Sequence, residues 1–370
     1  MSEALAAGRF PAGPCASRQP GAEEALGESF PLVAAHGTGL QLTRVHHEPG
    51  GGFLWWHGPG PGRTGPLRAP GRLLARVPAP AAASGAALLS TGTPYGDGLL
   101  HRAAGSASAA AWLRDPRPQA GRLVAHALVA AGRALRLLHD VPLPPDLEPV
   151  DLPGVRRMRA WAAGTGPSAP AAVRLRQRAR EVWGRARTAL LLDWAHDALR
   201  PAGPGDVVAP LHGWASAGAL VPPRTRGRVA LLTGEDLGVG RRELDLGWML
   251  GDLVELAWSS PLYGGGQGRR SGTGDGPDAG RADPRSAGLP SAAALQAVFL
   301  RAYGDPGAAS ASGPAYDPAA VGRCAVIRVV THMQDFATYC EWSDELLDYL
   351  AFTAELIDEE GRRAVPRGVS

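Results

Sequence analysis

Residues 211–256, LHGWASAGALVPPRTRGRVALLTGEDLGVGRRELDLGWMLGDLVEL, change texture several times within a short span, and that alternation sets the fold class. A short α/β stretch carries Val207-Val208 and then Leu211-His212-Gly213. After a Pro/Gly/Arg turn, Arg228-Val229-Ala230-Leu231-Leu232 reads as a strand, and Leu246 to Ala257 reads as a helix. Asp245, just before that helix, is placed to cap it and to pin the preceding loop from behind.

Upstream, Leu123, Ala127, Leu128, Ala131, Leu135 and Leu138 recur at helical spacing, and Pro142 and Pro144 follow the helix end. A second helix is expected over Ala171–Leu199, with an arginine-rich outer face that reads as solvated. Nearer the N-terminus, Leu40–Val45, Phe53–Trp56 and Arg72–Val77 are apolar runs separated by Gly/Pro turns, which reads as a small antiparallel sheet. Residues 84–120 are ambiguous, rich in Ala, Gly and Ser. Downstream, Ala292–Tyr303 and Val326–Glu360 read as helical, and residues 264–288 read as a disordered low-complexity insertion. The expected organisation is a flexible leader over 1–35, a β-rich N-lobe over 36–118 and a helical C-lobe over 119–370. The fold class is α+β, in two lobes.

Composition narrows the function classes. In 370 residues, 45% apolar and 20% charged, the chain can bury a large core. All 38 basic residues are arginine, so no lysine is available for a phosphate contact or a Schiff base. A net charge of +3 is too small to argue for nucleic acid. Cys15, Cys324 and Cys340 have no metal-binding spacing and fit a reduced cytoplasm, the expected location. No apolar run has the length of a membrane span.

Leu211–Leu256 resembles the catalytic core of aminoglycoside phosphotransferases and related kinase-like enzymes. Such proteins typically show HGDxxxxN, a strand ending in Asp, and a helix opening with DLA or DLG. Gly132–Pro142 (GRALRLLHDVP) is similar to the family helix ending in LxxLH, and Gly71–Pro78 (GRLLARVP) to the strand carrying a phosphate-contacting base. The resemblance implies a two-lobed protein-kinase-like fold that uses ATP and Mg²⁺. Phosphoryl transfer relies on positioning and charge neutralisation, by one Asp at the acceptor hydroxyl and by an Asn and a second Asp on the metal.

Against that pattern, His212 and Gly213 are in place, but Trp214 stands at the catalytic Asp and Ala219 at the metal-binding Asn. Counting from His212 and back from Asp245 places Thr233 at or beside the second Asp. A rival register reads Asp236-Leu237-Gly238 as the metal-binding triplet. Asp236 and Glu235 are in either case the nearest carboxylates to a metal. Arg76 replaces the usual phosphate-contacting lysine, and residues 84–120 contain no glutamate to partner it. The number of replacements points to lost or relocated chemistry.

Other residues have bland and sharp readings. His212 is expected to bond backbone near the metal loop, with catalysis as the alternative. Ser216 either caps its turn or approaches a substrate. Trp214 either packs on the C-lobe or fills the acceptor site. His46 and His47 are adjacent on a strand and point to opposite faces, which disfavours a shared metal. Gly50-Gly51-Gly52 reads as a hairpin turn, with a phosphate-covering loop as the alternative.

The motif shape also resembles the phosphotransferase-like proteins of class V lanthipeptide and thioamitide biosynthesis. That resemblance implies a precursor peptide and a lyase as partners, in phosphorylation and elimination at Ser/Thr hydroxyls. The competing readings are a non-catalytic pseudokinase scaffold and an active small-molecule O-phosphotransferase.

Overall fold

The structure is a computed structural model describing residues 22–74, 85–143, 152–199, 208–260, 262, 289–305 and 315–367. Arg76 and the insertion expected over 264–288 lie outside the described residues.

The N-terminal part is built on a five-stranded antiparallel sheet. After helix α1 (Ala22–Ser29) come β1 (Leu32–Gly37), β2 (Gln41–Glu48) and β3 (Gly52–Pro59). Helical turn α2 (Gly71–Leu74), β4 (Leu88–Ser90), β5 (Thr93–Tyr95) and β6 (Gly98–Ala103) follow, and the sheet order is β1-β2-β3-β6-β5. On one sheet face Val45, Phe53, Trp55 and Ala103 pack against Val221, Ala230 and Leu232 of the second part. β3 is buried on both faces, so its run of Phe53-Leu54-Trp55-Trp56 is continuous rather than alternating.

The second part is helical: α3 (Ala109–Trp112), α4 (Pro118–His139), α5 (Pro153–Ala163), α6 (Pro170–Asp197), α7 (Glu243–Ser259), α8 (Ala292–Gly304), α9 (Pro318–Tyr339) and α10 (Glu345–Asp358). Set among them are β7 (Val208–Leu211), β8 (Leu220–Val221), β9 (Ala230–Leu232) and β10 (Gly238–Arg241). β10 pairs antiparallel with β7, while β9 pairs with β8 and, in parallel, with β4. The β4–β9 pairing ties the two lobes together with backbone hydrogen bonds. α7 lies unusually close to α9: a Cβ on Gly247 would stand 2.3 Å from Cys324 Cβ, and one on Gly251 2.8 Å from Ala325 O. Only glycine permits that approach.

The two-lobed α+β architecture is the one expected. Several elements differ from expectation. The run Arg72–Val77 was expected as a strand, but its beginning lies in the helical turn Gly71–Leu74, with Leu73 buried against Leu237 and Val239. The leader expected over 1–35 contains α1, with Leu26 buried, and the start of β1; the Phe30 carbonyl, bonded by His46 Nδ1 at 2.9 Å, and the Pro31 carbonyl, bonded by the His47 N–H at 2.9 Å, fasten it to the sheet. The last helical segment is two helices, broken at Cys340–Asp344. Asp245 is not a cap: α7 begins two residues earlier, at Glu243, which leaves Asp245 inside the first turn.

Candidate functional site

The loop after β7, His212–Ala219, is held from behind by a buried carboxylate. Asp245 Oδ2 accepts the His212 N–H at 2.7 Å, and Oδ1 accepts the Gly213 N–H at 2.8 Å. His139, at the end of α4, donates from Nε2 to Asp245 Oδ2 at 3.0 Å, and its Nδ1 meets the Tyr303 hydroxyl at 2.8 Å. Asp245 and His139 are buried, so the sequence ending LLH and the carboxylate opening α7 form one fully engaged polar unit.

Gly213 has φ +79°, in the left-handed region, and a Cβ there would stand 1.7 Å from the Asp236 carbonyl. The loop therefore turns sharply and lies directly against the Glu235-Asp236 loop. His212 is fully buried; burial pushes its imidazole down to about 4 despite the nearby Asp245, and its Nδ1 accepts the Trp214 N–H at 3.2 Å. Ser216 is buried and its Oγ accepts the Ala219 N–H at 3.2 Å, closing the turn.

Ala219 and Thr233 are brought side by side, because the Leu232 N–H donates to the Ala219 carbonyl at 2.9 Å. Both are buried, and the Thr233 hydroxyl donates to the His212 carbonyl at 2.9 Å. Trp214 is half-buried. Its ring packs on Trp248 at 5.6 Å between centroids, and the guanidinium carbons of Arg157 and Arg328 lie 5.9 and 5.8 Å from its ring centre.

In front of the loop the charges are paired among themselves. Arg63, from the segment after β3, clasps both oxygens of Glu235, with Nη1 to Oε1 at 2.7 Å. Arg157 of α5 clasps both oxygens of Asp335 of α9, at 3.0 and 2.7 Å. Asp236 lies between these pairs. Loss of solvent and the charges of Glu235 and Asp335 outweigh Arg157 and Arg63 and push its carboxyl up to about 7. Behind Trp214, Asp252 Oδ2 accepts the Ala217 N–H at 2.7 Å, and Arg328 joins Asp252 to Glu255.

Sequence reasoning missed Arg63, Arg157, Asp335, Asp252 and Arg328. Asp335 is 178 positions from Arg157 in the chain, and no local pattern announces such a pair. The spacing of Asp252, about two helical turns beyond Asp245 on a buried helix, was the single available signal for that residue.

A magnesium–nucleotide centre of the implied kind needs oxygen ligands at positions 219 and 233. Ala219 offers none, the Thr233 hydroxyl donates its hydrogen to the His212 carbonyl, and the nearest carboxylates are Asp236 and the arginine-clasped Glu235. Among the described residues no group of three His, Cys, Asp or Glu side chains is placed to hold a metal ion. What the arrangement can do is bind, through an aromatic ring flanked by guanidiniums, and exchange a proton at Asp236.

Fold and site together describe a two-lobed protein with a buried loop support and an arginine-filled front. Comparison with known proteins places solved kinase structures beside it. The structure is similar to an aminoglycoside-3'-phosphotransferase of type VIII at 18% identity, over 92% of this chain and 97% of that one, with a TM-score of 0.40. It is similar to an ethanolamine kinase from Plasmodium vivax at 11% identity, over 91% and 85%, with a TM-score of 0.48. An amicoumacin kinase in complex with AMP-PNP, Ca²⁺ and Ami matches at 13% identity, over 94% of each chain, with a TM-score of 0.48. No protein-family model matches the chain, and no curated protein matches its sequence.

Proposed function

We propose that this chain is the kinase-fold binding component of a ribosomal-peptide modifying system of the lanthipeptide or thioamitide sort. It holds a precursor peptide and a partner lyase during Ser/Thr phosphorylation and elimination, and it does not itself transfer phosphate. The reading rests on the motif shape of Leu211–Leu256 and on one structural observation. The three positions that the resemblance assigns to the acceptor and the metal carry Trp214, Ala219 and Thr233, and all three side chains are committed to packing or to loop support.

The Arg63–Glu235 clasp adds support, because it occupies a carboxylate that could otherwise have served a metal. The half-buried Trp214 ring, braced by the enclosed guanidiniums of Arg157 and Arg328, supplies the aromatic surface on which a peptide would lie.

Thermal unfolding titrated with MgATP tests the proposal. A ligand at 100 times its Kd would add about 2.7 kcal/mol of stability. The expected outcome is no shift at millimolar MgATP, with no label passing from radioactive ATP to a Ser/Thr-rich peptide. A shift accompanied by phosphate incorporation that Asp236→Ala abolishes would sink it and restore an active transferase.

A further inference from the structure

The two lobes are joined at the back and at the front by unlike means. At the back β4 pairs with β9, the Leu88 N–H donates to the Val229 carbonyl at 2.7 Å, and the Thr233 N–H donates to the Ser90 carbonyl at 2.8 Å. Phe53 and Trp55 pack there on Ala230 and Leu232, so the joint is backbone pairing over buried apolar surface. At the front the tie is one irregular segment, GPGRTGPLRAPGRLL over residues 60–74, which follows β3 and reaches the residues between β9 and β10.

That segment is fastened at three points and exposed between them. Arg63 clasps both oxygens of Glu235, and the two side chains are 20% and 15% exposed. Leu67 is buried, and its N–H donates to the Asp97 carbonyl at 2.8 Å, which holds the middle of the segment to the N-terminal lobe. Leu73, in α2, is buried against Leu237 and Val239, with Ala69 beside it. Thr64, Gly65 and Pro66, between the first two points, are exposed. Gly65 takes φ +109° with open space where a side chain would stand, a conformation that glycine adopts freely. The segment therefore lies against Glu235 and Leu237, on either side of Asp236, while burying little besides its anchors. Segments with few buried contacts and exposed backbone belong to the low end of local stability.

We propose that residues 60–74 are a removable strap: released at Arg63 and Leu73 but still held at Leu67, the segment lifts off Glu235–Val239, and in its closed form it blocks that face of the candidate site. A ligand approaching from this side must first part Arg63 from Glu235. The back joint keeps the lobes together while the strap moves, because its backbone pairs and apolar packing involve none of the strap's anchors. The inference does not depend on whether the ligand is a peptide or a nucleotide.

The test uses the full chain carrying Val239→Cys, which places a thiol beneath Leu73 with little change of volume. The native Cys324, buried in the helical lobe, reports any opening of the whole fold. Reaction with a small thiol reagent, followed cysteine by cysteine through peptide mass analysis, measures both in one experiment. Position 239 is expected to react faster than Cys324. Adding Arg63→Ala should speed position 239 by about tenfold and leave Cys324 unchanged, with Glu235→Gln acting in the same direction to a smaller degree. A common rate at position 239 and Cys324 overturns the proposal, since the strap then moves only when the whole protein unfolds. A rate at position 239 that neither clasp substitution alters also overturns it. No nucleotide takes part, so failure of the strap and failure of the non-transferring site can be told apart.

Discussion

The back and the front of the loop His212–Ala219 are built on opposite plans. Behind it, Asp245 joins two loop amides, His139 and through it Tyr303, in a unit sealed from water. In front, the loop faces Trp214, Ala219 and Thr233, and the carboxylates nearby are either clasped by arginines or, as Asp236, left between them. The contrast separates what the loop needs to be folded from what a phosphoryl-transfer centre would need in order to act. The rear network satisfies buried amides and contributes to stability wherever the fold exists. The front positions contribute less to the folding of the loop, through the packing of Trp214 and the Thr233 hydroxyl on the His212 carbonyl, and lie where a ligand would meet it.

Substitutions on the two sides should separate by size. Asp245→Ala leaves the His212 and Gly213 amides and His139 without their shared acceptor in a dry interior. It should cost about 3–5 kcal/mol of unfolding free energy, read from the urea midpoint, and a loss under about 1 kcal/mol would break the contrast. Trp214→Ala removes a ring from between Trp248 and two arginines. Because the ring is half-buried, about 2 kcal/mol is expected, below the range for a fully buried tryptophan. If Trp214 serves peptide rather than packing, that variant should also lose peptide affinity beyond its loss of stability.

Arg63→Ala should cost about 1–2 kcal/mol, since it breaks a bidentate, mostly enclosed pair that joins the lobes. It should also raise the Asp236 carboxyl further, because one of the two cations holding it down is gone. A further effect concerns pH. A carboxyl raised to about 7 in the folded state binds its proton more tightly there than in the unfolded chain. Its stabilising contribution is complete below the unfolded value near 4 and is lost as pH rises through about 7. Asp236→Asn should therefore flatten the fall in stability between pH 5 and 7, followed by unfolding across a pH series. An unchanged slope would mean that Asp236 is ionised throughout and that the front is less crowded with negative charge than its geometry implies.

Parts of this were legible in the chain because they are local. The 3.6-residue recurrence of Leu128, Ala131, Leu135 and Leu138 forecast α4, and Val229–Leu232 forecast β9, since each pattern is fixed by which face of one element meets the core. The short spacing from β9 to Asp245 put that carboxylate behind the loop, although it sits in the first helical turn rather than at the cap. The start of Arg72–Val77 differs from expectation because a brief apolar run does not distinguish a strand from a helical turn when a distant contact, here Leu73 on Leu237 and Val239, supplies the burial. The segment Ala22–Ser29 differs for a related reason: the anchors that follow it, the Phe30 and Pro31 carbonyls, depend on a sheet formed later in the chain.

The amino-acid sequence by itself determined the order of a β-rich part before a helical part, the loop that begins at His212, and the absence of lysine from the chain. Those are matters of residue type and short-range spacing. Only the tertiary structure decided that Arg63 would hold Glu235, that Arg157 would hold Asp335, and that β4 would pair with β9 across the lobes. Such pairings join segments far apart in the chain, and electrostatic attraction and strand pairing act over distances in space that spacing along the sequence does not encode.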